Sequence, residues 1–314
     1  MMGKGWVRVA PLPELIGAAT ALAPGTCGEL VQGIADGADF LVTCPINQFS
    51  RATVTLRAGD ASGHTVRGLD HLPKTQQAVT IALDELTAPL GTDHLSAEVS
   101  IANPIPPGKG MGSSSADITA AIGALGNAAG HPFPPESIAR IALSVEPTDG
   151  VMFPGITLFD HRRGSVVEPL GPPPAMEIIV IDPGGVVDTL EFNRIDRTQQ
   201  WQEIADRTAE ALALVRDGIR RGDANLVGRG ATISALAGHP PASAQWVARA
   251  AAFATEHSAA GINVAHSGTV VGILLDAQQR RSKPIYRQAQ QTFPDAETVA
   301  HYRIISGGVR ESAA

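Results

Sequence analysis

Three glycines at every second position, Gly108, Gly110 and Gly112, run directly into Ser113, Ser114 and Ser115. Across Pro107-Gly108-Lys109-Gly110-Met111-Gly112-Ser113-Ser114-Ser115 the missing Cβ atoms let successive backbone N–H groups converge on an anion. The serines then open a helix, whose first turn adds unpaired donors and a partial positive charge. A triphosphate held in this way needs few cationic side chains, which suits a chain of net charge −7. The serine hydroxyls supply further donors and an oxygen for Mg2+, a hard cation that takes few protein ligands. The spacing is neither GxxxxGK[ST], because Lys109 lies between glycines, nor GxGxxG opening a first βαβ unit.

Two carboxylates, Glu146 and Asp149, stand in Glu146-Pro147-Thr148-Asp149-Gly150, just beyond a helical stretch at 135–144. At that spacing both can face one pocket. Phosphoryl transfer calls for positioning and charge neutralisation, with a carboxylate to orient or deprotonate the attacking hydroxyl. An Asp at its reference pKa of about 4 is a weak base for an alcohol, so proton transfer is expected late, as the P–O bond forms. Without the glycine loop, the same pair reads as helix-end and turn residues.

The elements that must position these groups follow from periodicity and punctuation. Strands are expected at 42–43, 52–56, 95–102, 177–181, 269–275 and 302–305, where β-branched and apolar residues alternate or cluster. Helices are expected at 74–86, 114–126, 135–144 and 283–291. Another, at 198–220, carries Trp201, Ile204, Ala205, Thr208, Leu212, Val215 and Ile219 near 3.6-residue spacing. The run Gly171-Pro172-Pro173-Pro174 marks a boundary between domains at 1–171 and 172–314. There is no regular βαβα alternation, so the expected class is α+β in two domains.

With 314 residues, 44% of them hydrophobic, the chain can bury a core in each domain. The mixing of acidic and basic residues argues against nucleic acid or an anionic membrane as partner. No stretch reaches the roughly 18 apolar residues of a membrane span. Cys27 and Cys44 show no CxxC spacing and read as packing residues in a reducing, cytoplasmic setting. Lys4 and Arg8 ahead of the small-residue stretch 17–23 mimic a signal peptide, but Pro11, Pro13 and Glu14 interrupt it. The tail 311–314 carries no recognisable address, and Arg303 and Arg310 read as solvated surface.

PxPPGKGMGSSSA, within 104–116, resembles the PxxxGLGSSAA signature of the GHMP kinase superfamily, with Met111 for Leu and Ser115 for one Ala. Two more superfamily blocks follow the same order, Ala23-Pro24-Gly25 leading to Gly28-Glu29, and Ser267-Gly268-Thr269-Val270-Val271-Gly272. PGTCGELVQG at 24–33, LVTCPI at 41–46, EPTDG at 146–150 and VAHSGT at 264–269 are together similar to the L-threonine kinases of cobalamin synthesis.

This resemblance implies a larger N-terminal α+β domain, a smaller ferredoxin-like C-terminal domain, and ATP with Mg2+. It implies nucleotide contacts from the loop 107–115, Mg2+ on Ser114 and Glu146, and Asp149 as base, with exchanged roles of Glu146 and Asp149 left open. The small-molecule substrate would be L-threonine, converted to O-phospho-L-threonine for the aminopropanol linker. Its contacts are expected among Thr26, Glu29, Gln32, His266, Ser267, Gly268 and Thr269, with Glu29 on the ammonium group. Thr26 stands where many relatives carry the Lys of PGKxxLxGEH, so this chain must do without that lysine. His266 has no second ligand at metal spacing and reads as a hydrogen-bonding loop residue. The alternatives are a kinase for another small alcohol such as homoserine, or a ligand-sensing pseudokinase.

Overall fold

The computed structural model describes residues 14–311 apart from 36, 60–62, 188–194, 196 and 240. Lys4, Arg8, Pro11 and Pro13 therefore lie outside the described residues, whereas 17–23 is strand. It belongs to β1 (Leu15–Ala35), which pairs antiparallel with β2 (Ala38–Ala58), each 21 residues long. The short strands expected at 42–43 and 52–56 are two parts of β2. Small residues such as Gly17, Ala18 and Ala19 have little β-propensity, and neighbouring strands impose the extended form on them. Register shifts between Pro24 and Val31 break the β1–β2 ladder, so the segment 24–33 is a bulged stretch of strand.

The N-terminal half continues with β3 (Thr65–Arg67), α1 (Pro73–Leu90), β4 (Leu95–Ala102), α2 (Ser113–Ala128), α3 (Pro135–Val145), β5 (Ile156–Phe159) and β6 (Val167–Gly171). The helix α2 packs on β1 and β2 on one side and on α1 and α3 on the other. That sandwich buries nearly every residue of α2, which explains its alanine-rich, apolar sequence.

The C-terminal half holds β7 (Met176–Asp182), α4 (Thr198–Glu203), α5 (Ala205–Arg221), α6 (Ala224–Gly238), α7 (Ala244–Glu256), β8 (Gly261–Val264), β9 (Val271–Asp276), α8 (Ser282–Thr292) and β10 (Thr298–Arg303), before β11 (Arg310–Glu311). Its strands run in the order β10-β7-β9-β8, all antiparallel, which is the ferredoxin-like βαββαβ arrangement with four helices among the described residues of its first crossover. β8 then joins β1 through Glu29 and Val264, so one sheet runs β10-β7-β9-β8-β1-β2-β4-β3.

Three expectations need correction. The helix expected at 198–220 is broken at Ile204 (φ −106°, ψ 11°) into α4 and α5. The strands expected at 269–275 and 302–305 are shifted to β9 and β10. Helices α6 and α7 and strands β5 and β8 have no counterpart in the sequence reading. In α6 the reason is packing, since a Cβ on Gly228 would lie 2.2 Å from the Ala260 carbonyl oxygen and one on Gly230 2.6 Å from that of Ala211. Close approach demands glycines that weaken the helical signal. No helix of the described residues is long and apolar enough to cross a membrane.

Candidate active site

Gly108, Gly110 and Gly112 all take left-handed backbone conformations, with φ of 69°, 79° and 65°. A Cβ would also collide, lying 2.4 Å from Ala265 Cβ at Gly110 and 2.9 Å from Asp149 Oδ2 at Gly112. Gly112 is the N-cap of α2, so the loop delivers Ser113, Ser114 and Ser115 as the first helical turn. Two segments hold the loop in place. From bulged β1, Thr26 N donates to Met111 O (2.9 Å) and Gly28 N to Gly110 O (3.3 Å). From the turn after β8, Thr269 N (3.0 Å) and Val270 N (3.2 Å) donate to Lys109 O.

A cavity of about 330 Å3 opens over this helix start. Ser113, Ser114 and Ser115 line it, with Pro107, Gly108, Gly110, Met111 and Gly112 of the loop. Glu146 and Asp149 form the facing wall. Glu146 is the extended C-cap of α3 (φ −160°, ψ 160°), a conformation favoured by Pro147 after it. Ser114 Oγ donates to Glu146 Oε1, and Lys74 Nζ pairs with Glu146 Oε2.

Asp149 sits beside that pair, its N–H donating to Ser115 Oγ (3.1 Å) and the same hydroxyl lying 3.3 Å from Asp149 Oδ2. Burial pushes its carboxyl up to about 6, with the Ser115 hydrogen bond pulling down and the Glu146 charge adding to the rise. This replaces the expected value near 4, and it brings Asp149 closer to what a base at neutral pH requires.

Glu29 lines the cavity on the β1 side and is buried. Burial, then the charge of Asp149, holds its carboxyl well above the usual range. Its Oε2 has no hydrogen-bond partner among the described residues. Asp149 and Glu146 thus face one lysine among the described lining residues, and Ser114 Oγ with the Glu146 carboxylate presents hard oxygen donors. That donor set and charge surplus fit Mg2+. Among the described residues no group of three His, Cys, Asp or Glu forms a cage for a metal.

His266 and Ser267 reach the same cavity from the C-terminal half. His266 Nδ1 lies 2.7 Å from Gln32 Oε1, stands edge-on to His161 (5.0 Å between centroids) and stacks on Trp201 (6.2 Å). Gln32 is buried behind His266, outside the main cavity. Thr26 is buried beneath Gly112, its Oγ1 without a hydrogen-bond partner among the described residues. Gly268 packs against the loop, where a Cβ would lie 2.2 Å from Lys109 O.

The side chains of Lys109 and Thr269 turn away from the cavity. Lys109 Nζ pairs with Asp182 (2.8 Å) and Glu297 (2.9 Å), and Thr269 Oγ1 donates to Asp182 Oδ1 (3.1 Å). Burial opposes the Lys109 charge, but these two hydrogen-bonded carboxylates outweigh it and raise its pKa. Cys27 and Cys44 are buried free thiols in the core.

Lys74 is a cavity residue that the sequence reading did not single out. Pro73 ahead of it is a helix-start signal at the first turn of α1, which places Lys74 on a helix end. Nothing in one dimension indicates that it meets a carboxylate 72 positions later.

The family model for the N-terminal domain of GHMP kinases matches residues 76–153, which take in α1 after its first turn, the glycine loop, Glu146 and Asp149. The chain is 33% identical to the L-threonine kinase of Citrobacter freundii over 260 residues, 82% of this chain and 86% of that protein. It is 29% identical to the L-threonine kinase of Salmonella typhimurium over 299 residues, 93% of this chain and 95% of that one. In fold it is similar to the homoserine kinase of Cytophaga hutchinsonii, with a TM-score of 0.67, 16% identity and coverage of 98% of this chain and 100% of the other. The glycine loop on α2, the Ser114–Glu146 contact and this span of similarity have one reading: the chain belongs to the GHMP kinase family, on its L-threonine kinase branch.

Proposed function

We propose that this chain transfers the γ-phosphoryl group of ATP to the side-chain hydroxyl of L-threonine, giving O-phospho-L-threonine and ADP. One observation carries the reading: a buried Asp149, raised to about 6, sits beside the Ser114–Glu146 contact at the start of α2. The relatives in Citrobacter and Salmonella narrow the acceptor to threonine.

In this reading the loop amides and the first turn of α2 hold the triphosphate. Ser114 and Glu146 would hold Mg2+, which neutralises phosphate charge when bound. Asp149 accepts the hydroxyl proton as the threonine oxygen bonds to the γ-phosphorus and the bond to the β,γ-bridging oxygen breaks. Glu29, a lining residue of the cavity on the β1 side, supplies the partner for the substrate ammonium, whose charge would favour the ionised carboxylate against the burial that raises its pKa. Residues 1–171 would bring the loop and both carboxylates, and 172–314 would bring His266 and Ser267. By the resemblance in 24–33, 41–46 and 264–269, the product would serve the aminopropanol linker of cobalamin.

The test is ADP release and 31P NMR of products with ATP, Mg2+ and L-threonine, L-serine or L-homoserine. Threonine is expected to give the highest kcat/KM and a phosphomonoester on the β-oxygen. Homoserine or serine turning over as well as threonine would remove the threonine assignment.

A further inference from the structure

Three positions among the described residues are candidates for the cation that meets the transferred phosphate. The loop offers Lys109, the N-terminal motif offers Thr26 where relatives carry a lysine, and α1 offers Lys74. Lys109 is committed elsewhere, its ammonium buried between Asp182 and Glu297 on the far side of the loop. Thr26 carries no charge and lies beneath Gly112.

Among the described residues lining the cavity, Lys74 is the one lysine or arginine. Its ammonium rests on Glu146, the carboxylate that also takes the Ser114 hydroxyl. Its geometry is that of an anchored but movable cation. The backbone is fixed by Pro73 in the first turn of α1, while the side chain is 40% exposed against 3% for Glu146. A lysine on a flexible stem can therefore change partner without any rearrangement of the fold.

From this placement we infer that Lys74 is a catalytic residue of the phosphoryl transfer, the ammonium that meets the γ-phosphoryl oxygens in place of the missing motif lysine. The inference rests on the kinase reading above. Before substrates bind, Lys74 neutralises Glu146 and keeps it aligned with Ser114. With Mg·ATP bound, negative charge collects on the three γ-oxygens, and the ammonium is drawn to them without forming or breaking any covalent bond of its own. The loop lysine, in turn, fastens the loop to the C-terminal half.

The experiment compares the full chain with Lys74→Met, Lys74→Gln and Lys74→Arg. Calorimetry measures binding of a non-hydrolysable ATP analogue and of ADP, each with Mg2+, and circular dichroism melts check folding. Removing the ammonium is expected to weaken the analogue roughly tenfold or more, the size of one charge-assisted hydrogen bond, while ADP changes by less than about threefold. Lys74→Arg is expected to recover most of the analogue affinity, and kcat should fall in Lys74→Met and Lys74→Gln by roughly a hundredfold. Equal losses for ADP and analogue, or no loss for either, would overturn the assignment. Lys74→Gln keeps the test decisive if Lys74→Met does not fold. The binding arm needs no amino acid, so a parent chain that binds the analogue but phosphorylates no threonine refutes only the substrate reading. The ratio of analogue to ADP affinity still decides Lys74.

Discussion

The amide oxygen of Gln32 lies 2.7 Å from Nδ1 of His266, tying bulged β1 to the turn after β8 across 234 positions of sequence. Gln32 Nε2 donates to Gly238 O (3.1 Å), so Oε1 is the acceptor and His266 carries its proton on Nδ1. Burial, with His161, Arg197 and Arg162 nearby, holds His266 well below its ordinary pKa and therefore neutral at pH 7. Gln32 acts on the cavity through His266 as a positioning residue. Gln32→Leu should destabilise the fold by about 1–3 kcal/mol and raise the KM for threonine more than that for ATP. Steady-state kinetics with both substrates varied checks this, and unchanged threonine KM in a folded variant would count against it.

Asp149 links activity to pH. Its carboxyl ionises near 6 in the fold against 3.8 ordinarily. If it is the base, kcat/KM should rise with pH through about 6 and level off above. A profile flat from pH 5 to pH 8 would remove it from that role.

The same shift sets a stability prediction. Between about pH 4 and 6 the folded state holds a proton that the unfolded state has lost, so stability declines as pH rises through that window, and the deficit persists above it. Asp149→Asn should therefore raise the melting temperature of the ligand-free protein at pH 8, by the equivalent of at most about 3 kcal/mol, with no gain at pH 4. It should also abolish most turnover while leaving ATP binding in place. Melts at the two pH values and nucleotide titrations measure both effects.

Ser114 and Glu146 touch, so they should act as a unit. Ser114→Ala and Glu146→Gln are each expected to raise the Mg2+ concentration for half-maximal activity by roughly tenfold or more, and the double variant should lose less than the product of the two. Magnesium titrations of the three variants give the coupling. Strict multiplicativity would mean that the two side chains serve separate functions.

Lys109 should matter to the fold through Asp182 more than through Glu297, because Asp182 is nearly buried and Glu297 more than half exposed. Lys109→Met is expected to cost roughly 3 kcal/mol by stranding Asp182, whereas Glu297→Gln should cost less than about 1 kcal/mol. Urea unfolding of the two variants compares them directly, and the reverse ranking would contradict the pairing.

The sequence reading reached the glycine loop, the helix it opens and the carboxylate pair because each is a local pattern. Three glycines in eight residues with a serine run, or a proline after a helix-end Glu, report backbone conformation on their own. It also reached Leu95–Ala102 as a strand to the residue, where alternation is clean. It did not reach Lys74, whose partner is fixed only when α1 and α3 pack against α2. Nor could it tell that Lys109 faces Asp182, a partner 73 positions later that only the packing of β7 beside the loop brings to it. The length of β1 was hidden for a third reason. Its small residues and its bulge at 24–31 look like a turn-rich segment until β2, β8 and β11 supply partners.

That long first strand also bears on how the molecule assembles. Glu29 pairs with Val264, and Ala21 and Leu22 pair with Glu311 and Arg310, contacts that close loops of well over two hundred residues. Such pairings are slow to form and are made late, because the loop entropy is lost before the contacts return it. A nascent chain that has emerged as far as Gly171 contains the glycine loop, both carboxylates and the Thr43 partner of Glu29, yet it lacks Val264 on the other side of Glu29 and the amides of Thr269 and Val270 that hold Lys109 O. Neither the nucleotide side nor the acceptor side of the cavity is therefore complete until β8 and the turn after it have joined β1 and the glycine loop.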